Sequence, residues 1–366
     1  MIYLDNGATS FHKPKTVREA MLCALDNCAN PGRGGYRASM AAAKTVLRCR
    51  EKAAELFDCR AEQVVMTGNC THGLNMAVQS LVKPGSRVVI SGFEHNAVTR
   101  PLHGLQARVT VAGRKLFDRE DTLLQFERAL KAGADAAVFT HVSNVFGYIL
   151  PIAEMAALCK QYRVPFVIDA AQSAGVLPLS LAKLGASFIA MPGHKGLLGP
   201  QGTGLLLCGE TPKPLLRGGT GSNSASYDMP DFLPDLAEAG TLNVPGIAGL
   251  SAALSYLMKQ GCDRIFRSEQ KQAMRCAEGL RELGFRVFTG IQQCGTVSFV
   301  PGMDCEEAAE ILARQGIAVR AGLHCAPLAH ESAGTLETGT VRVSFGHDAS
   351  PEQTASFLQA IRALKM

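Results

Sequence analysis

The 366-residue chain has no tryptophan, six tyrosines and only 6% aromatic residues. The net charge of +5 is spread along the sequence without a basic block or an aromatic-interleaved basic stripe. Nucleic acid is therefore not an expected partner, whereas small anionic ligands are compatible with so mild a balance. The opening residues, Met1-Ile2-Tyr3-Leu4-Asp5, lack a basic region followed by an apolar segment. No apolar run approaches the roughly 20 residues that span a bilayer. The chain is read as soluble, unprocessed and cytoplasmic, with no membrane partner. Cysteine is plentiful at twelve, but there is no C-x-x-C pair and no metal-ligand spacing. Reduced thiols are expected rather than disulfides, and no metal site. Cys23, Cys49, Cys159, Cys208 and Cys276 fall in apolar or helical stretches, where cysteine acts as a small core hydrophobe. Cys70 and Cys325 differ, lying in polar loops.

Hydrophobic residues make up 47% of the sequence, enough for a sizeable core and for two unequal domains. Between about residues 60 and 210, short apolar runs alternate with helical patterns: 63–67, 87–91, 136–140, 165–169, 187–191 and 203–207. Near-continuous apolar strands separated by helices predict an α/β fold with a mostly parallel central sheet covered on both faces. Residues 212–246, rich in Gly, Pro and Ser, read as long ordered loops. Helical patterns follow at about 246–260 and 263–283, then a strand at 296–300, a helix from about 304, a strand at 340–344 and a last helix. The expected division is a large domain of residues 15–245 and a smaller α+β domain formed by 1–14 and 246–366.

In parallel sheets ligands bind beyond the carboxyl ends of the strands, so the residues closing each run are the candidates for chemistry. These are Thr71, His95, Asn144, Asp169 and Lys195. Each alone has an ordinary structural reading as a core-edge histidine, a helix cap or a solvated lysine. Together they suit pyridoxal phosphate (PLP), which needs a lysine for its Schiff base, a carboxylate for its ring nitrogen and donors for its phosphate. Lys195 lies in MPGHKGLLGPQGTG (191–204), where glycines permit a tight turn, and Asp169 closes the preceding strand. The stretch TGNCTHGLN (67–75) places Thr71 at a predicted helix start, where backbone N–H groups and the helix dipole favour an anion. Rival phosphate motifs fail, since Gly196 follows Lys195 and no G-x-G-x-x-G opens a helix after a strand.

The ordered motifs YLDNGATS, EHNAV, SNVFGYILPI, VIDAAQSAG, GHKGLLGPQGTG, EAGTLN, RAGLHCAP and VRVSFG run through nearly the whole chain. In them the sequence resembles the class V, fold-type I PLP enzymes, and among these the group II cysteine desulfurases and selenocysteine lyases. The resemblance implies that Lys195 is the Schiff-base lysine, that His95 stacks on the cofactor, that Asp169 partners the pyridine nitrogen and that Gln172 donates to the phenolic oxygen. It also implies that Asn144 lies near that oxygen and the substrate, and that Thr71 and His194 bind phosphate, with Cys70 beside them. Thr241 matches a residue that reaches the phosphate of a neighbouring subunit, which implies a homodimer with shared sites. Arg342 matches the arginine that clamps the substrate α-carboxylate, with Arg320 nearby, a task suited to a planar fork. Cys325 matches the catalytic cysteine, which takes sulfur from L-cysteine as a persulfide, leaving alanine, and passes it to a sulfur-acceptor protein. Arg320 and His324, close in sequence, are expected to favour its thiolate.

The sequence departs from the pattern at Pro192, where a Ser or Thr phosphate ligand is usual, at Cys70, where a small hydroxyl is common, and at His72, where an acidic residue is often seen. A selenocysteine lyase, another class V aminotransferase or β-lyase, and a non-catalytic protein on the same fold remain as alternatives at this point.

Overall fold

The computed structural model describes residues 1–32 and 34–362. Its strands are β1 (Ile2–Tyr3), β2 (Val64–Thr67), β3 (Arg87–Ser91), β4 (Arg108–Ala112), β5 (Ala136–Thr140), β6 (Phe166–Asp169), β7 (Phe188–Pro192), β8 (Gly204–Cys208), β9 (Arg286–Phe288), β10 (Thr296–Val300), β11 (Ile317–Ala318), β12 (Arg320–Gly322) and β13 (Thr340–Ser344). The helices are α1 (Lys15–Asn27), α2 (Arg37–Phe57), α3 (Cys70–Leu81), α4 (Asn96–Gly104), α5 (Arg119–Lys131), α6 (Ile152–Tyr162), α7 (Leu181–Leu184), α8 (Val244–Gln260), α9 (Cys262–Glu282), α10 (Cys305–Arg314), α11 (Pro327–Ala333) and α12 (Pro351–Arg362).

Seven strands form the main sheet in the order β2-β8-β7-β6-β5-β3-β4. β8 runs antiparallel to both its neighbours and the remaining pairs are parallel. The apolar runs are continuous because both faces are covered, yet a period of two still sorts them. Phe139, Ile168, Ile189 and Leu205 enter one apolar cluster, while Val138, Val167, Ala190 and Leu206 enter the cluster on the opposite face. The six strands expected from apolar runs are all present. The seventh, β4, is an edge strand whose Arg108, Val109 and Thr110 are exposed, so its sequence carries no buried run.

A four-stranded sheet, β12-β13-β10-β9, follows in the carboxyl-terminal part, and β1 pairs in parallel with β11. Its core is a third apolar cluster that includes Leu4, Leu280, Phe299, Val343 and Phe357. Helix α8 packs on α1 and α2, and its Val244, Ile247, Leu250 and Leu254 belong to the main-sheet core. Residues 209–234 carry no helix or strand, consistent with the Gly- and Pro-rich reading. Among the described residues, no helix is long and apolar enough to cross a membrane.

Candidate active site

Strands β2, β3, β5, β6 and β7 all point the same way, so the residues after their carboxyl ends meet at one edge of the sheet. There Cys70, His95, Asn144, Asp169 and Lys195 line a single cavity of about 520 Å³ including its mouth. Thr71, Gln172 and His194 line the same cavity.

Asp169 is buried, and its Oδ1 accepts the Ala171 N–H at 2.8 Å and the Cys70 thiol at 3.5 Å. Those bonds hold the carboxylate at a fixed angle and leave Oδ2 available to a donor in the cavity. Burial drives the Cys70 thiol well above its ordinary pKa, with Asp169 adding to the shift, so it stays protonated and donates. His95 caps α4, its Nδ1 accepting the Ala97 N–H at 3.0 Å, which places the ring proton on Nε2. Burial lowers the pKa of His95; Asp169 opposes this, and Lys195, Arg100 and Arg342 reinforce it.

Lys195 follows β7 on the glycine-rich turn. A side chain at Gly196 would meet the Ala174 carbonyl oxygen at 2.5 Å, so the close approach that brings the amine to the sheet edge requires glycine there. Burial lowers the Lys195 pKa, Arg342 adds to the effect, and Asp169 and Cys70 act against it. The turn is strapped by the amino-terminal segment. His194 O accepts Ser10 N–H at 2.9 Å and Ser10 Oγ at 3.0 Å, and His194 Nδ1 bonds Thr9 Oγ1 at 3.1 Å. The imidazole of His194 is pushed down to about 4 by burial and by the neighbouring Lys195 and Lys13, which keeps it neutral.

At the start of α3, Asn69 caps the helix by accepting the His72 N–H at 2.9 Å. The N–H groups of Cys70 and Thr71 have no hydrogen-bond partner among the described residues, which is the arrangement an anion at a helix start requires. Pro192 offers no side-chain donor, so this grip rests on backbone. Gln172 donates to Gly7 O at 2.9 Å, which commits one of its two amide hydrogens and leaves the other.

Cys325 is exposed and lies in a turn where both it and His324 have positive φ, 56° and 53°. Two bonds tie that turn to the cavity: Asn96 N–H donates to Cys325 O at 2.8 Å, and Asn144 Nδ2 donates to His324 O at 2.8 Å. The His324 ring turns inward, stacked on His330 at 5.7 Å, with Nε2 on Arg320 O. Burial holds its pKa well below the ordinary value, so it is neutral and brings no charge to the Cys325 thiol. Arg320, the other basic residue expected to favour the thiolate, is exposed on β12.

Arg342, on β13, is 2% exposed and donates to Asp5 Oδ1 at 2.6 Å and to Asn144 O at 2.9 Å. The structure does not bring Thr241 into the cavity. It is exposed on the loop before α8, in a separate groove with Thr220 and Ser222. Two site residues escaped the sequence reading. Asp5 lies in the YLDNGATS motif but gave no local sign of its partner. Glu94 precedes His95, is fully buried, and accepts from Ser91 Oγ and from Thr140 N–H at 2.9 Å, tying the ends of β3 and β5 together. Burial pushes its carboxyl up to about 8 against the pull of these donors.

The chain matches the model of the aminotransferase class-V family over residues 2–357. It is 34% identical to a probable cysteine desulfurase of Pyrococcus abyssi, over all of this chain and 94% of that protein. With a probable cysteine desulfurase of Methanothermobacter thermautotrophicus the identity is 32%, over 96% of this chain and 92% of the other. Among solved structures, the apo cysteine desulfurase of Thermococcus onnurineus NA1 superposes with a TM-score of 0.92 at 35% identity, covering 99% of this chain and 94% of that one. The cysteine desulfurase CsdA of Escherichia coli gives 0.86 at 26% identity, over 100% and 94%. A more distant structure, 21% identical, carries glycine covalently linked to PLP and shares the fold with a TM-score of 0.83. The buried strand-end residues, the Lys195 turn and the tethered Cys325 thus belong to a member of the class-V aminotransferase family, on its cysteine desulfurase branch.

Proposed function

We propose that this protein is a PLP-dependent cysteine desulfurase: L-cysteine and the Cys325 thiol yield L-alanine and a Cys325 persulfide, which an acceptor protein then discharges. The observation that carries this is the tether of the Cys325 turn to Asn96, next to His95, and to Asn144, a wall of the Lys195 cavity. A thiol is thereby held beside the groups that would handle the amino acid.

The residues present fit the cofactor. Asp169 has an oxygen free for a ring nitrogen, the Cys70 and Thr71 N–H groups suit its phosphate, and Lys195 has an amine of lowered pKa. Gln172, His194 and Asn144 complete the wall, and His95 offers a flat neutral ring. When bound, PLP supplies an electron sink for the carbon from which the α-proton leaves. Lys195 is the group that takes and returns that proton. Arg342 and Arg320 hold the α-carboxylate, and the Cys325 thiolate attacks the substrate sulfur from outside the cavity.

We read the protein as a homodimer in the cytoplasm. Thr241 lies outside its own cavity, and the exposed apolar residues Leu22, Leu25, Tyr36, Met40 and Leu47 fall on α1, α2 and their junction, with Leu47 lining the same groove as Thr241. All twelve cysteines are free, which fits a reducing compartment. Separate apolar clusters, with β1 on the smaller, support a large PLP-binding unit and a smaller carboxyl-terminal one, but α8, expected in the smaller unit, packs into the core of the larger, so the boundary falls after α8 rather than at residue 245.

The test is to incubate the PLP-loaded enzyme with L-cysteine, assay alanine, and weigh the Cys325 peptide. Equimolar alanine and one added sulfur atom on Cys325 are expected, with both lost in Cys325→Ala. Alanine release that survives in Cys325→Ala would remove the persulfide route.

A further inference from the structure

Arg342 is a buried cation with an unusual set of partners. Its Nη2 donates to Asp5 and its Nη1 to a backbone carbonyl, yet its Nε–H is buried and unpartnered. Nε and Nη2 share one edge of the guanidinium, the edge that receives a carboxylate in bidentate fashion. Asp5 occupies half of that edge and leaves the other half empty.

Arg320 stands directly opposite Arg342 across the β12–β13 pair. Like charges placed opposite each other in a sheet repel. Asp5 is the single carboxylate paired with either of them among the described residues, so the cluster of Arg320, Arg342 and Asp5 carries a net charge of one plus. It is one carboxylate short of neutrality.

Asp5 also begins the strap that reaches the rest of the site. Gly7 N–H donates to Ser344 Oγ at 2.8 Å, Gly7 O accepts from Gln172, and Thr9 and Ser10 hold His194. A side chain at Gly7 would come within 3.1 Å of the Arg342 guanidinium carbon, so the strap lies directly against the clamp.

We propose that Asp5 is an internal stand-in for the substrate α-carboxylate: it occupies Nη2 of Arg342 in the resting enzyme and cedes it to an incoming amino-acid carboxylate, which takes the full Nε–Nη2 edge. This rests on the reading of Arg342 as the carboxylate clamp and adds a specificity element to it. Removing one partner of a buried ion pair leaves an uncompensated charge, so only a ligand that brings a carboxylate of its own can displace Asp5. Amines without one meet a closed pair.

The experiment compares Asp5→Asn, which keeps the shape and an acceptor oxygen but loses the charge, with wild type in the PLP-loaded enzyme. Binding of L-alanine and of L-alaninamide is followed by the cofactor absorbance. Affinity for L-alanine should rise about tenfold in the variant, since the competing charge is gone while Arg342 still needs one. Affinity for the amide should stay the same, and KM for L-cysteine should fall more than kcat changes. Unchanged or weaker L-alanine binding, or an equal gain for the amide, overturns the proposal. Should the variant not fold, hydrogen exchange of residues 3–10 in wild type decides. Faster exchange with saturating L-alanine is expected, and unchanged or slower exchange refutes displacement. If wild type releases no alanine from L-cysteine, the desulfurase reading fails, while the comparison of alanine with its amide still judges Asp5.

Discussion

Lys195 can act as a nucleophile and base only while its amine is uncharged, and burial together with the repulsion of Arg342 shifts it toward that state. Borohydride reduction of the loaded enzyme should fix the cofactor on the peptide containing Lys195. Lys195→Ala should abolish that label and lower alanine release by about 10³-fold. Glu94 offers a second test. Glu94→Ala orphans the buried N–H groups of Ser91 and Thr140 and should cost about 3 kcal/mol, read as a lower denaturant midpoint. The two residues differ in how far they could be read from sequence. Lys195 stands out in the sequence only in company: alone it reads as a solvated loop lysine, and it becomes a candidate through Asp169, His95, Thr71 and the ordered motifs around them. Glu94 does not stand out, because its role depends on Thr140, brought beside it by a crossover the local sequence does not encode. His324 shows the same limit: adjacency to Cys325 suggested a charge, and only the fold reveals a ring turned inward to stack on His330.

Elements turn these residues into a site. The cap on α3 frees two N–H groups at the helix start while satisfying a third, so Asn69→Ala should cost about 1 kcal/mol of stability and also weaken PLP affinity, measured by equilibrium dialysis. Asn69→Asp, which keeps the cap but adds a negative charge beside the phosphate position, should keep the stability and lose affinity. The loop before α8 is fixed from beneath. Arg50 on α2 forks onto Glu238, and Glu238 also accepts the Met66 N–H, all inside the protein. Glu238→Ala leaves Arg50 buried without its partner and should cost about 3 kcal/mol. The strands themselves were legible wherever both faces are covered. β4 carries no apolar run, and its Arg-Val-Thr-Val alternation is too brief to stand out on an exposed edge, while β9, β11 and β12 are too short to carry a period.

For the whole molecule, buried titratable groups shape the response to pH. Glu94 and Glu269 are held up to about 8 from an ordinary 4.5, so they bind more protons folded than unfolded, and stability falls as pH rises between those values. His141 is held down to about 3, and His194 and His330 to about 4, from an ordinary 6.5. These bind more protons unfolded, so stability falls as pH drops below 6.5. The opposing slopes place the highest denaturant midpoint at about pH 6, and Glu269→Gln should flatten the alkaline side. A monotonic rise in midpoint from pH 5 to pH 8 would contradict that account.

The pairing of Asp5 with Arg342 joins positions 337 apart in the sequence. During synthesis, the early end of the chain must therefore wait for the late one, because contacts between distant positions carry the largest entropic delay. The seven-stranded sheet can assemble while the last strands are still being made, but the place that receives an amino acid cannot. A nascent chain stalled before residue 340 would hold the scaffold but lack Arg342, so under the proposed role of that residue no amino acid would be clamped until the final strand is made.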